Sequence, residues 1–291
     1  MWRILRRAMR FAAAVMIGLL PASGVAAQSV PLSPWDISWL PPGHVIQDPI
    51  VREAAIRAIN QAIDSLAFNN RLSLRNALKG RGAAFLSAAY EFGVDPAFVL
   101  SIMRFENTTM GYNFGAISCP GGRPAYGAVS CGGRFLVFPD PDTGIRAVFW
   151  YLAQDPNVQP CRGDPDPVAC VIRKYAPPPE NPTEKYIRAV RGWTSSYRST
   201  VSSAIRAETR RYLRTKMMPS LQAAMRAARY STPVQIDSYG GACYAGGDGM
   251  WCREPGGQFW YPGGLLEGWR WYPRMGKWCY GPTSWCLSPW W

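Results

Sequence analysis

Histidine is almost absent from this chain. His44 is the only one, and it lies in a proline-rich stretch. Serine and cysteine nucleophiles of the triad type need a histidine base, so this shortage argues against that chemistry. The eight cysteines contain no Cys-x-x-Cys pair, which leaves little from which to build a zinc site. We therefore expect no metal and no cofactor.

Phosphate-binding loops and long apolar segments are also missing. No Gly-Lys-Ser/Thr loop is present, and no dinucleotide-type glycine motif opens a strand–helix unit. The apolar run Phe11–Leu20 has ten residues, fewer than the roughly 20 that a membrane-spanning helix needs. Arginines precede it and the small residues Val25, Ala26 and Ala27 follow, so residues 1–27 are predicted to be a secretory signal peptide. We expect export to the periplasm or the extracellular space.

Acidic residues are few, with 19 Asp and Glu against 32 Lys and Arg and a formal net charge of +13. The predicted signal carries four Arg and no acid, so the remaining residues carry +9, the difference between 13 and 4. A basic chain favours an anionic partner, whether a cell wall, a membrane surface or nucleic acid. Charge alone does not choose among them, and the sequence does not address the oligomeric state.

The cysteines themselves indicate disulfides, because an exported protein folds in an oxidising compartment. Sequence alone leaves their connectivity open. We predict four local bridges that each close one loop: Cys119–Cys131, Cys161–Cys170, Cys243–Cys252 and Cys279–Cys286.

Apolar residues at three- and four-residue steps predict a mainly α-helical domain over residues 48–196, after an extended, proline-rich lead-in at 28–47. Between Asn107 and Asp142 glycines and aromatics predict a long loop with a small β-hairpin, and long loops are often functional. Helix starts are predicted at Asp48–Pro49, near Ala83, at Asp95–Pro96, at Asp142, at Pro167 and at Asn181–Thr183.

The last third has a different composition. Residues 197–238 are basic and helical, either a solvated helix packed on the domain or a spacer attracted to an anionic surface. Residues 239–291 hold eight of the 13 Trp and few aliphatics, which predicts a small β-type module stapled by two disulfides. Flat rings suit sugars, so Trp260, Trp269 and Trp271 are candidate substrate-binding residues; the alternative is that these rings form the core of the module.

Glu106 is the candidate catalytic residue. It ends the helix that Asp95 and Pro96 open, on the same face as Val99, Ile102 and Met103. A carboxylate placed where the pattern asks for an apolar residue holds its proton to higher pH, as a general acid at a glycosidic bond must. The alternative is a half-exposed glutamate at a helix end. Asp140 and Asp142 are candidates for a second acid, although turn and capping roles suit both better.

Four motifs in order carry a family resemblance. The segments 95–106, 112–117, 138–145 and 175–187 resemble the lysozyme-like superfamily, in particular bacterial peptidoglycan glucosaminidases and lytic transglycosylases. The resemblance implies a lysozyme-like helical fold, Glu106 as general acid/base and Tyr175 near the reacting sugar. It also implies that Tyr112, Asn113 and Phe114 bind substrate or shape the floor of the cleft. The chain departs from the family at Asn107, where a small hydroxyl residue is usual, and in a long insert at 118–133.

Three hypotheses follow. The first is an exported glycosidase that cleaves peptidoglycan or another N-acetylated glycan, with an aromatic C-terminal module that binds the cell wall. The second is a non-catalytic glycan-binding protein on a degenerate lysozyme-like scaffold. The third, which we do not favour, is a basic protein that binds nucleic acid or membranes.

Overall fold

The computed structural model describes residues 32–66, 71–177, 182–230, 235–236, 242–246, 249–253, 258–260, 268–280 and 285–289. The predicted signal peptide, residues 1–27, lies outside them. None of the helices in these ranges carries an apolar stretch long enough to span a lipid bilayer.

Helices dominate the described residues up to 230, which confirms the mainly α prediction. They are α1 (Pro49–Asp64), α2 (Leu72–Leu78), α3 (Gly82–Phe92), α4 (Pro96–Glu106), α5 (Pro141–Gln154), α6 (Pro167–Tyr175), α7 (Thr183–Tyr212) and α8 (Met218–Tyr230). One wide π-helical turn, Leu213–Met217, joins α7 to α8. The lysozyme-like arrangement of these helices remains an expectation from the family resemblance.

Helix starts follow side-chain caps. The Asp48 carboxylate accepts hydrogen bonds from the backbone N–H groups of Ile50 and Val51, and Asp95 accepts one from Ala97. Each of these helices then has proline at its first position, where no intrahelical N–H bond is lost. The predicted starts of α1 and α4 are confirmed. The missed helix is α2, whose seven residues are too few to show a clear period.

The start of α5 differs from the prediction by two residues. Asp140, not Asp142, is the N-cap, because its carboxylate accepts from the Thr143 N–H at 2.9 Å and from the Thr143 hydroxyl at 2.6 Å. Asp142 lies in the first turn and pairs with Arg81 at 3.2 Å. Both acids therefore have structural roles, as the sequence favoured.

Helix α7 is the central element of the helical core. Its 30 residues pack against α1, α4 and α6, and its buried face carries Tyr186, Val190, Tyr197, Val201 and Ile205. The boundary predicted between residues 196 and 197 falls inside this continuous helix. The basic residues of its second half therefore belong to a helix that packs on the domain, the simpler of the two readings of that segment.

Residues 32–47 form turns that pack on the helices. The guanidinium of Arg198 on α7 bonds the buried Asp95 carboxylate at 2.6 Å, Asp36 at 3.0 Å and the Ser33 carbonyl at 2.7 Å. The indole N–H of Trp35 donates to the Leu152 carbonyl. A buried carboxylate needs such partners to remain charged, so Arg198 ties the lead-in to the first turn of α4.

The loop between α4 and α5 contains the predicted hairpin. Strands β1 (Ser130–Gly132) and β2 (Phe135–Val137) pair antiparallel, with Cys131 opposite Leu136. The bridge Cys119–Cys131 fastens the loop to this hairpin.

The C-terminal module is an antiparallel sheet. Its described strands, in sheet order, are β3 (Gln235–Ile236), β4 (Ala242–Gly246), β5 (Gly249–Arg253), β6 (Phe259–Trp260), β7 (Trp269–Tyr272), β8 (Lys277–Tyr280) and β9 (Cys286–Leu287). Bridges Cys243–Cys252 and Cys279–Cys286 join neighbouring strands, and Cys161–Cys170 fastens α6 to the turn before it. All four predicted disulfides are confirmed, and they fit an exported protein.

The sheet packs on the helices through tryptophan. The Trp251 indole N–H donates to the Ser220 hydroxyl on α8, and the Trp269 indole N–H donates to the Asp48 carboxylate, both at 2.9 Å. Asp48 is therefore at once the cap of α1 and an acceptor for the module.

Candidate active site

Glu106 is the last residue of α4 and lines a cavity of about 430 Å³. The next residue, Asn107, ends the helix with a left-handed backbone (φ 49°, ψ 36°), and its N–H bonds the Met103 carbonyl. Asparagine adopts this conformation more readily than other non-glycine residues. Asparagine at position 107 thus has a local reason, because Asn107 closes the helix that presents Glu106.

The Glu106 carboxyl is half-buried and held by one tyrosine. The Tyr186 hydroxyl on α7 donates to Glu106 Oε1 at 2.7 Å. Tyr186 is itself buried, and its ring stacks on Phe105 with centroids 3.6 Å apart. Burial raises the pKa of the Glu106 carboxyl, and the bond from Tyr186 offsets part of that rise. The carboxyl is therefore fixed in position and biased toward its protonated form.

Tyr186 was not among the predicted site residues. In the sequence it is one of several large residues on the buried face of α7, and the helical period does not distinguish it from its neighbours. The available signal is chemical: a buried tyrosine hydroxyl requires a hydrogen-bond partner, and a carboxylate is one of the strongest acceptors.

Tyr175, at the end of α6, lines the same cavity as Glu106. Its hydroxyl oxygen is buried and has no hydrogen-bond partner among the described residues. Burial, together with the neighbouring charge of Glu106, raises the pKa of Tyr175 well above its ordinary value, so the group stays a hydroxyl and can donate. A buried polar group without a partner costs about 1–3 kcal/mol, which a bound ligand could recover.

Gly115 allows the Tyr175 hydroxyl to come this close to the loop. A Cβ at Gly115 would lie 2.7 Å from that hydroxyl oxygen and 2.8 Å from Val148 Cγ2. The glycine of the predicted motif is therefore required by close packing between the loop after α4 and the tyrosine. The two sequence-predicted catalytic residues, Glu106 and Tyr175, are brought together in one cavity.

The cavity lining comes from several segments. The loop after α4 and strand β2 contribute one part, the end of α5 a second and the end of α6 a third. The lining residues are Ala116, Ile117, Ser118, Tyr126, Arg134, Phe135, Tyr151, Asp155, Asn157, Lys174, Ala176 and Pro177, with Glu106 and Tyr175. The long loop predicted between Asn107 and Asp142 therefore forms one part of the cavity wall.

Besides Asn107, three non-glycine residues of this loop have left-handed backbone: Tyr112 (φ 52°), Ala116 (φ 50°) and Tyr126 (φ 54°). This conformation is costly for residues with a Cβ, and such residues concentrate at functional sites. Two of the three, Ala116 and Tyr126, line the cavity.

Tyr112, Asn113 and Phe114, which were predicted to bind substrate or shape the floor of the cleft, do not line the cavity. Asn113 is buried, and its amide donates to the carbonyls of Ile117 and Leu136 and accepts from the Ile117 N–H. Phe114 lies in the hydrophobic core. Tyr112 is 39% exposed and lies outside the cavity, with its carbonyl against Gly144. These residues therefore shape the turn beside the cavity and do not line it.

A second carboxylate lies in the cavity, and sequence reasoning missed it. Asp155 follows the last residue of α5 and is 8% exposed. It accepts a hydrogen bond from the Tyr126 hydroxyl at 2.6 Å and from the Asn157 N–H at 2.8 Å. In the sequence Asp155 looks like an ordinary acid after a helix, because its place in the same cavity as Glu106 depends on how the loop after α4 and the ends of α5 and α6 come together.

The predicted sugar-binding tryptophans lie elsewhere. Trp269 is 1% exposed and Trp271 is 6% exposed, both within the core of the sheet. Neither ring offers a face to a sugar, which favours the core role that the sequence also allowed. The backbone of Trp260 is part of β6, and its side chain lies outside the described residues.

Comparisons with known proteins give no match. No family model matches the chain, and searches of curated proteins and of solved structures found no match. In the ranges described, no group of three or more His, Cys, Asp or Glu side chains is arranged to hold a metal ion. Function is therefore argued from the chemistry of the cavity.

Proposed function

We propose that the protein is an exported glycosidase that cleaves the glycan strands of peptidoglycan, with Glu106 as its general acid/base. The observation that carries the proposal is a carboxyl at a helix end that is half-buried, oriented by Tyr186 and open to a cavity. Breaking a glycosidic bond requires a proton for the leaving oxygen, and a carboxyl with a raised pKa keeps that proton to higher pH than an ordinary glutamate.

Tyr175 lines the same cavity and supports the same chemistry. Its hydroxyl remains protonated and has a donor available, next to the group that would transfer the proton. In this proposal the Tyr175 hydroxyl turns to bond a substrate oxygen when a sugar fills the cavity. That bond would be made only in the complex, as a group that stabilises a bound or reacting state requires.

The second acid of a two-carboxylate mechanism is not evident near Glu106. Asp140 and Asp142 serve helix α5, and Asp155 interacts with a different set of tyrosines from Glu106. An N-acetylated sugar can supply its own acetamide or its 6-hydroxyl as the nucleophile. We therefore favour a lytic transglycosylase or a substrate-assisted glucosaminidase over a two-acid hydrolase.

The charge of the chain suits an anionic polymer. Arg134 and Lys174 are exposed and lie at the cavity, where they would meet the carboxylates of peptide-bearing sugars. The predicted role of the C-terminal module in wall binding gains no support from its buried rings and is kept outside this proposal.

The test is clearing of purified peptidoglycan by the wild type, Glu106→Gln and Glu91→Gln. Glu91 is the matched control, since it also lies in the last turn of a helix but is exposed and paired with Arg146. We expect Glu106→Gln to lose at least about 100-fold in rate, the usual contribution of a general acid, while still sedimenting with the polymer. Glu91→Gln should clear normally.

Other outcomes separate the alternatives. No clearing by any of the three proteins, with sedimentation intact, would point to a non-catalytic glycan-binding protein. Binding that collapses at modest salt and prefers DNA would point to a nucleic-acid partner. Where clearing occurs, mass spectrometry of the fragments distinguishes a reducing end from an anhydro sugar.

A further inference from the structure

The cavity has two polar ends joined by a row of tyrosines. The Tyr175 and Tyr151 rings meet edge to face with centroids 5.6 Å apart, and Tyr151 meets Tyr126 in the same way at 5.9 Å. Glu106 lies beside the first ring of this row, and Asp155 bonds the hydroxyl of the last. The row therefore separates the two carboxylates along the lining.

The two carboxylates also act on different tyrosines. Burial is the main cause that raises the pKa of all four tyrosines; the charge of Glu106 adds to it at Tyr175 and Tyr186, and the charge of Asp155 adds to it at Tyr126 and Tyr151. Asp155 is therefore placed to contact a different part of a bound molecule from the part that Glu106 contacts.

Asp155 has acceptor capacity left over. A carboxylate offers about four lone-pair positions. The described residues occupy two of these, through the Tyr126 hydroxyl and the Asn157 N–H, and none of them forms an ion pair with Asp155. Since the side chain lines the cavity, its remaining positions are available to hydrogen-bond donors of a ligand.

The loop between α4 and α5 orients the Asp155 carboxylate through Tyr126. Tyr126, which donates to it, has a left-handed backbone (φ 54°), and its ring is fixed by edge contacts with Trp150 and Tyr151. A strained residue that persists next to a cavity and orients a polar group there is a common feature of binding sites.

We propose that Asp155 is a substrate-binding residue that sets specificity, accepting hydrogen bonds from hydroxyl or amide N–H groups of a sugar unit away from the bond that Glu106 cleaves. The inference rests on the proposed function. If Asp155 has this role, the preferred substrate is an oligosaccharide that fills both ends of the cavity. Asp155 then contributes to binding affinity and does not transfer a proton.

The test uses binding in full-length protein that cannot turn over. A tetrasaccharide of alternating N-acetylglucosamine and N-acetylmuramic acid is titrated calorimetrically into Glu106→Gln and into the double variants with Asp155→Asn or Asp164→Asn. Asp164 is the matched control, because its carboxylate also accepts the N–H two residues on, but it is exposed and outside the cavity. Thermal unfolding confirms that each variant is folded.

We expect Asp155→Asn to weaken binding of the tetrasaccharide at least about tenfold, the value of one hydrogen bond to a charged group. Asp164→Asn should not change it. In otherwise wild-type protein, Asp155→Asn should raise KM with kcat and the pH profile little changed.

Each contrary outcome is distinct. Equal binding by the Asp155 and Asp164 variants would overturn the inference and leave the proposed function standing. A fall in kcat with KM unchanged would make Asp155 a catalytic acid and overturn the inference in a different way. If Glu106→Gln itself does not bind the tetrasaccharide, both the proposed function and the inference about Asp155 are wrong.

Discussion

Aromatic side chains are concentrated in two regions, the cavity beside Glu106 and the C-terminal sheet, and the two regions use them in opposite ways. At the cavity Tyr126, Tyr151 and Tyr175 line an open space and have carboxylates as neighbours. In the sheet, Trp251, Trp269 and Trp278 are at most 1% exposed and contact other rings at 5.5–5.7 Å.

The comparison shows that aromatic content does not by itself identify a binding surface. In a short, aliphatic-poor module the rings are needed as core, because little else can exclude water. In the helical region leucine, isoleucine and valine already fill the core, and the tyrosines of the cavity pack only at its edge, where they can also serve another role. Three features distinguish the tyrosines of the cavity from rings that only form a core: their carboxylate neighbours, the left-handed backbone of the loop, and the close approach at Gly115.

Removing a ring from the sheet should have the largest effect. Trp278→Ala deletes a side chain with no exposed surface, and such changes cost about 3–5 kcal/mol. We expect a corresponding loss in urea unfolding, with Met275→Ala as control, since Met275 is 53% exposed in the turn beside it. If both variants unfold alike, the tryptophans are not the core and the comparison fails.

The support of the cavity should be sensitive to a smaller change. A Cβ at Gly144 in α5 would lie 2.0 Å from the Tyr112 carbonyl oxygen, so Gly144→Ala must displace the loop from the helix. We expect a loss of about 1–3 kcal/mol and slower peptidoglycan cleavage.

Gly192, in α7, is the control for Gly144, because nothing lies within 4 Å of its would-be Cβ. Gly192→Ala should stabilise the protein by about 0.5–1 kcal/mol and leave cleavage unchanged. Equal stability changes in the two variants would mean that the loop does not rest on α5 as described.

The smallest expected effect is a shift in pH dependence. The Tyr186 hydroxyl lowers the pKa of Glu106 against the effect of burial, so Tyr186→Phe should raise that pKa further. A general acid with a higher pKa stays protonated to higher pH, and the alkaline limb of kcat/KM should move upward. Tyr90→Phe removes the hydroxyl of a partly buried tyrosine that donates to the Pro41 carbonyl and lies outside the cavity, so it should leave the limb in place. If the alkaline limb moves in neither variant, the Tyr186 hydroxyl does not set the pKa of the catalytic acid.

Much of the helical region could be predicted from sequence because its signals are local. Asp48, Asp95 and the prolines after them mark helix starts, and cysteines seven to twelve residues apart can close only short loops. The position of Glu106 at the end of α4 follows from the same kind of signal.

The remaining features depend on contacts between segments far apart in the chain. Tyr186 bonds Glu106, which is 80 residues away in the sequence, and Tyr126 bonds Asp155, which is 29 residues away. The periodicity of a single helix cannot predict either contact. The burial of Trp269 depends in part on a bond to Asp48, 221 residues away. From the sequence, the tryptophans of the C-terminal module could form either its core or a binding surface. Their burial in the structure favours the core.

The most direct test of the account is the titration of the Glu106 carboxyl, followed by NMR in protein labelled at glutamate and assigned by comparison with Glu106→Gln. The account predicts a midpoint above about 4.3, the ordinary value for glutamate, because burial beside Phe105 and Tyr186 disfavours the charged form. A midpoint at or below that value would contradict it, since the cavity would then hold an ordinary carboxylate with no proton to give.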